Sequence, residues 1–300
     1  MKALLDRSDQ DERGFRRLAM RAVSSAALPA NDENRPDLFT NGGRPFSEWP
    51  SAPDDLKLEC NEVHLWATSL DLPPHLISRC STILAVDEAD RAERYYFARD
   101  RNRFVAARVC LRTLLGAYLK IEPGNIKFSY NEYGKPSLAQ PANTGKINFN
   151  VAHSGDVAIY GFTRGRQIGV DVEQIKPEFA SFDIAINYFS KSEVTKLGQL
   201  CPAHRQRAFF DCWARKEAFI KGIGQGLSLG LDQFEVAFAP GEPAAVLNTN
   251  WDPQVAGRWS LAPINVMPGY VAAAAVEGHN WDLRSWQVPE KVYQNDLAPL

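Results

Sequence analysis

Two short stretches far apart in the chain hold most of the side chains that could do chemistry. Gly169-Val170-Asp171-Val172-Glu173 sets two carboxylates two residues apart. On a strand, where the side-chain period is two, both leave the same face. Downstream, Trp213, Glu217 and Lys221 lie within Phe209–Gly222 at i, i+4 and i+8, so on a helix they share one face. A carboxylate and an ammonium one turn apart, beside a strand with two more carboxylates, can hold a divalent cation and an anionic substrate together. Phosphoryl-type chemistry follows from that combination.

Each piece also has an ordinary reading. Asp-x-Glu is common at solvated strand edges, although Ile168, Val170, Val172 and Ile175 imply that the opposite face is buried. Glu217 and Lys221 alone make an i,i+4 ion pair worth about a few tenths of a kcal/mol on a surface. Trp213 on the same face argues for cover, since an indole there is costly to expose. On spacing alone, a joint role for the three acids and separate structural roles both stand open.

Other motifs are weaker. His153 follows Phe149-Asn150-Val151-Ala152 at a strand end before Ser154-Gly155, a place that favours exposure toward a cleft. Ser154 with His153 as its base is a poor nucleophile reading, because neighbours on a strand point to opposite faces and no Gly-x-Ser-x-Gly elbow is present. Gly222-Ile223-Gly224-Gln225-Gly226 follows a helix instead of leading from a strand into one, so no helix N-terminus faces a phosphate. Dinucleotide-fold and P-loop readings are rejected, and the run is expected to be a flexible exit from the Glu217 helix. Arg99, Arg101, Arg103, Arg108 and Arg112 form a basic tract, either a solvated face paired with Asp87, Glu88 and Glu93 or, through Arg108 and Arg112 one turn apart, a phosphate clamp. Lys135, in Tyr133-Gly134-Lys135-Pro136, follows a turn and offers a further anion contact.

The elements that must position these residues can be read from periodicity and turn chemistry. Strands are predicted at Glu62–Ala67, Ile126–Tyr130, Ile147–Val151 and Val157–Phe162, with Thr163–Arg166 as a hairpin turn into Ile168–Glu173. One or two helices cover Asp87–Leu119, with Phe104, Ala107, Leu111, Leu114 and Leu115 at helical spacing. Ser190-Lys191-Ser192-Glu193 reads as a capping box, His204–Gly222 as a long helix closed by Gly222, and Phe234–Phe238, Trp259–Ala262 and Tyr270–Val276 as later strands. An offset of 106 residues lays Phe104 on Phe210 and Gly116 on Gly222, a faint internal echo of strand, long helix and strands in each half. A site between two such halves would be the natural cleft.

Three hundred residues fit one large domain or two smaller ones. A net charge of -2 gives no reason to expect nucleic-acid binding. No apolar run approaches the ~20 residues that cross a bilayer, and Arg16, Arg17 and Arg21 interrupt the only stretch resembling a secretory signal. Five cysteines without a Cys-x-x-Cys pair fit reduced thiols in a cytoplasmic protein better than a zinc knuckle or a disulfide framework. Composition assigns residues 1–55 to a poorly ordered extension.

Taken in order, Gly134-Lys135-Pro136, Phe149–Gly155, Gly169–Glu173 and Trp213–Lys221 resemble the Sfp-type 4′-phosphopantetheinyl transferases, over roughly residues 60–280. Ala152 stands where that family usually has Ser, which removes a hydroxyl contact to phosphate. The resemblance implies an α+β chain of two similar lobes with pseudo-twofold symmetry, each a small antiparallel or mixed sheet packed on a long helix. The lobes would be residues 56–166 and 167–290, followed by a tail, 291–300. Coenzyme A would bind between them, its arm passing to a serine of an apo acyl- or peptidyl-carrier protein of fatty-acid, polyketide or nonribosomal peptide synthesis, with release of 3′,5′-ADP. By motif, Asp171, Glu173 and Glu217 would hold Mg2+, and His153 and Lys221 would contact phosphate oxygens. Lys135 and Arg108 would take the 3′-phosphate or the adenine side of coenzyme A, and Pro136 and Lys216 would meet the rest of it. Glu217, Lys221 and His153 are thus the expected catalytic residues of a cytoplasmic monomer. The rival readings are a non-catalytic coenzyme A or carrier-binding module and another Mg-dependent phosphotransferase.

Overall fold

A computed structural model describes residues 45–139, 146–176 and 181–293. Most of the 1–55 extension and residues 294–300 of the tail therefore lie outside the described residues. The elements in chain order are strand β1 (Glu62–Ser69), helices α1 (Pro74–Cys80), α2 (Val86–Glu93) and α3 (Ala98–Leu119), and strands β2 (Phe128–Tyr130), β3 (Pro136–Leu138), β4 (Ile147–Ser154), β5 (Val157–Arg164) and β6 (Ile168–Gln174). Helices α4 (Ser181–Tyr188), α5 (Lys191–Gln199) and α6 (Pro202–Ile223) follow, then β7 (Phe234–Val236), β8 (Val246–Thr249), α7 (Pro253–Ala256), β9 (Trp259–Ile264), β10 (Tyr270–Glu277) and β11 (Asp282–Gln287). This is the expected α+β class. Among the described residues no helix is long and apolar enough to cross a membrane.

The chain divides into two units, each with its own core. One holds residues 45–129, 136–166 and 280–293, apart from 140–145. Its sheet runs β11-β1-β5-β4, antiparallel except where β11 joins β1 in parallel. Trp66, Tyr160 and Phe162 pack there with Leu111, Leu114 and Leu115 of α3. Residues 280–287 thus return to the sheet that begins with β1, and Val292 and Tyr293, inside the expected tail, are buried in this same core. The turn at Thr163–Arg166, with Gly165 at φ 74, closes no hairpin: β5 pairs with β1 and β4, while β6 pairs with β10.

The other unit holds Tyr130–Lys135 and 167–279, apart from 177–180. Its three-stranded antiparallel sheet runs β6-β10-β9. Helix α6 begins with Pro202 at its first turn, where a missing N–H costs nothing, and packs on β6 and β10. It ends on Gly224 in the left-handed conformation, φ 81, two residues beyond the expected stop. Gly222 has a different task. A Cβ there would come within 2.6 Å of the Trp259 ring, and a Cβ on Gly169 within 2.0 Å of the Ala218 carbonyl oxygen and 2.2 Å of the Gly222 nitrogen. Two glycines therefore let strand and helix backbones touch. On β10, Ala275 and Ala273 stand opposite Gly169 and Asp171, so the seat for α6 is shallow along its length. The capping box of α5 is present: Ser190 Oγ accepts from Glu193 N–H, and Glu193 accepts from Ser190 N–H.

Candidate active site

The close approach of Gly169 to Gly222 sets the distance between the two acidic stretches. Two residues along β6 from Gly169, Asp171 meets the α6 side chain Lys221, whose Nζ donates to Asp171 Oδ1 at 2.8 Å. Asp171 is 1% exposed, and its second oxygen, Oδ2, is buried with no hydrogen-bond partner. Burial pushes this carboxyl well above the ordinary carboxylate range. Lys221 opposes the shift, and Glu173 and Glu217 add to it through like charge. So Asp171, Glu173, Glu217 and Lys221 lie within electrostatic reach of one another in this unit. Trp213, on the same face of α6, is buried against Phe189 and Phe209.

Three carboxyl groups gather near one ammonium, and Asp171 Oδ2 lacks a donor. Both features fit a hard divalent cation with oxygen ligands. Among the described residues no three Asp, Glu, His or Cys side chains are gathered into an ion-holding group as they stand, and Asp171 gives Oδ1 to Lys221 instead.

Lys216 does not join the cluster. Fully buried, it donates to the carbonyls of Leu231 (2.7 Å) and Phe234 and pairs with Glu193 at 2.7 Å, so the expected coenzyme A contact is replaced by a structural one. Lys135 lies in the same unit, and its Nζ donates to the Gly222 carbonyl at 2.7 Å. The remaining expected residues belong to the other unit. There His153 is exposed near the end of β4, Ala152 is buried, and Pro136 opens β3. Arg108 donates from Nε to Glu88 Oε1 at 2.8 Å, and Arg112, 1% exposed, donates to Glu88 Oε2 at 2.6 Å and to the carbonyls of Pro123 and Ile126. Glu88 thus takes both arginines of the supposed phosphate clamp. The acid–arginine spacing pointed to this pairing as readily as to a clamp, whereas the Glu193–Lys216 pair had no local signature.

Two sequence patterns of known proteins match separate stretches of the chain. Residues 167–275 match the 4′-phosphopantetheinyl transferase superfamily, and residues 73–161 match the family described as 4′-phosphopantetheinyl transferase, N-terminal. The chain is 37% identical over 238 residues to the 4′-phosphopantetheinyl transferase HetI of Nostoc sp., covering 79% of this chain and 97% of that one. It is 33% identical to the 4′-phosphopantetheinyl transferase Sfp of Bacillus subtilis over 53% of this chain and 68% of Sfp. With the human L-aminoadipate-semialdehyde dehydrogenase-phosphopantetheinyl transferase it shares 32% identity, over 55% of this chain and 58% of the human one. Among solved structures, the Thermotoga maritima holo-[acyl-carrier-protein] synthase is similar in part, at 18% identity over 37% of this chain and 62% of that one, with a TM-score of 0.31. That last likeness adds nothing to the assignment. The near full-length match to HetI places the chain in a family, and it belongs to the Sfp-type 4′-phosphopantetheinyl transferases.

Proposed function

We propose that the chain moves the 4′-phosphopantetheine arm of coenzyme A onto a serine of an apo acyl- or peptidyl-carrier protein, with Mg2+ and release of 3′,5′-ADP. One observation supports this most: Asp171 is buried beside Glu173 and Glu217 with one oxygen bonded to Lys221 and the other unbonded. A group so costly to bury suits a partner that arrives with the substrate.

Asp171, Glu173 and Glu217 would be the cation's protein ligands. When bound, the cation supplies charge neutralisation for a diphosphate that would otherwise repel an incoming nucleophile. The chain's own residues do the rest. Glu217, 8% exposed, accepts the serine proton as the serine Oγ–phosphorus bond forms and the bond from that phosphorus to the bridging oxygen breaks. The departing oxygen carries the released electron pair into 3′,5′-ADP, and the Lys221 ammonium balances that charge. All five cysteines are free, which suits a reducing compartment such as the cytoplasm.

Intact-mass analysis of apo-carrier proteins incubated with the purified chain, coenzyme A and Mg2+ tests the reading. A gain of about 340 Da, the mass of the transferred arm, is the expected outcome. Carriers that bind the chain without gaining mass would point to a binding module instead.

A further inference from the structure

The glycine run after α6 and the Gly134-Lys135 turn were separate motifs in the sequence, and the structure joins them. Asn131 and Lys135 close a tight turn on themselves. Asn131 N–H donates to the Lys135 carbonyl at 3.1 Å, Gly134 N–H to the Asn131 carbonyl at 3.0 Å, and Asn131 Oδ1 accepts from the backbone N–H groups of Tyr133 and Lys135. This turn sits on the end of α6. Asn131 Nδ2 donates to the Gly224 carbonyl at 2.7 Å and Lys135 Nζ to the Gly222 carbonyl at 2.7 Å. The last carbonyls of a helix lack partners within it and carry the negative end of its dipole, so an amide and an ammonium are suitable caps. A Cβ on Gly224 would meet the Lys135 stem at 2.9 Å, and one on Gly226 would meet Tyr133 Cβ at 3.5 Å. Both glycines hold positive φ, 81 and 58, where a side chain is strained, and at Gly224 the Lys135 stem leaves little room besides.

Lys135 also reaches the strand. Its Nζ lies 3.4 Å from the Ile168 carbonyl and 3.4 Å from Gln167 Oε1, at the start of β6. One ammonium therefore bridges the last turn of α6, next to Lys221, and the first residue of β6, three before Asp171. Burial lowers the Lys135 pKa to about 8 by taking the ammonium out of water, and the Glu277 charge opposes the shift.

We propose that the Asn131–Lys135 turn is a clamp that fixes α6 against β6, and that Lys135 is a positioning residue for Lys221 and Glu217 instead of a ligand for the coenzyme A 3′-phosphate. The glycine run is the socket for this clamp. The activity arm of the test rests on the transferase reading above, and the exchange arm does not.

The variants are Lys135→Met, Lys135→Gln as the milder change, and Lys135→Arg as the conservative one. Hydrogen exchange of the purified chain should show amides at residues 220–224 exchanging about 10–100-fold faster in Lys135→Met, the cost of losing a charged hydrogen bond. Lys135→Arg should recover part of that protection. In transfer assays, Lys135→Met should lower kcat about 10–100-fold, as a displaced catalytic group does, and by the same factor with coenzyme A and with 3′-dephospho-coenzyme A. Should Lys135→Met fail to fold, Lys135→Gln carries both arms. Unchanged exchange at 220–224 would overturn the proposal, as would a loss confined to coenzyme A with the dephospho compound unaffected. A wild-type chain that transfers nothing would defeat the transferase reading, while the exchange result would still decide the clamp.

Discussion

Asp171 and Lys221, fifty residues apart in sequence, form an ion pair at 2.8 Å between strand β6 and helix α6. Lys221 satisfies only one of the two Asp171 oxygens, and its charge is outweighed by burial and by Glu173 and Glu217. The pair therefore holds the site in a state that a cation would complete.

The first prediction concerns the cost of that arrangement. A carboxyl whose pKa is raised on folding favours the folded chain while protonated, and the benefit is lost as pH climbs from the ordinary carboxylate value through the raised one. At neutral pH without divalent cations, the Asp171 charge is a liability. Asp171→Asn keeps an acceptor for Lys221 and removes the charge, so its Tm in a chelator should exceed the wild-type value by a few degrees at pH 7. The gap should close toward pH 4. Transfer should fall about a hundredfold or more. Calorimetry across pH checks the first part, and turnover the second.

Lys216 should behave as a core residue. Lys216→Met removes the partner of Glu193, which is 2% exposed and also accepts from the backbone of Ser190 and Val236. Leaving a buried carboxylate without its cation should cost about 3–5 kcal/mol. Denaturant unfolding reads that loss. The KM for coenzyme A, measured where the variant is folded, should not move.

The strand–helix contact should tolerate no added methyl. Gly222→Ala pushes against Trp259 and should cost about 1–3 kcal/mol, the usual penalty of overpacking. Gly169→Ala meets helix backbone, which cannot rotate aside, and should cost more than Gly222→Ala. Both should lower kcat beyond the fraction unfolded, because α6 is forced away from Asp171. An Ala variant with wild-type kcat and Tm would show that the two backbones can separate freely.

How much of this was legible in the sequence depends on how local each signal was. The capping box at Ser190, the long helices and the strands carrying Val63–Trp66 and Val157–Phe162 were readable because period and cap lie within a few residues. The same-face placement of Asp171 with Glu173 on a strand, and of Glu217 with Lys221 on a helix, needed only the period of each element, whereas their meeting depends on the long-range approach of Gly169 to Gly222. Gly222 looked like a helix stop because glycine there has two uses, and only the position of Trp259 distinguishes close packing from capping. Strand β11 escaped notice since Trp286 is its one buried residue, leaving no alternation to read, and its partner β1 lies over two hundred residues earlier. The Thr163–Arg166 turn has hairpin chemistry but ends one sheet before another begins. Lys216 read as a coenzyme A contact and Arg112 as part of a solvated face or a phosphate clamp, and only the long-range packing of Glu193 and Glu88 shows both to be buried ion-pair partners.

Titration calorimetry with Mg2+ in the presence of coenzyme A tests the account's centre most directly. Wild-type chain should bind one ion specifically, Asp171→Asn and Glu217→Gln should lose that binding while remaining folded, and Lys216→Met should keep it. Identical isotherms for wild type and Asp171→Asn would contradict the assignment of the buried carboxylate as a cation ligand.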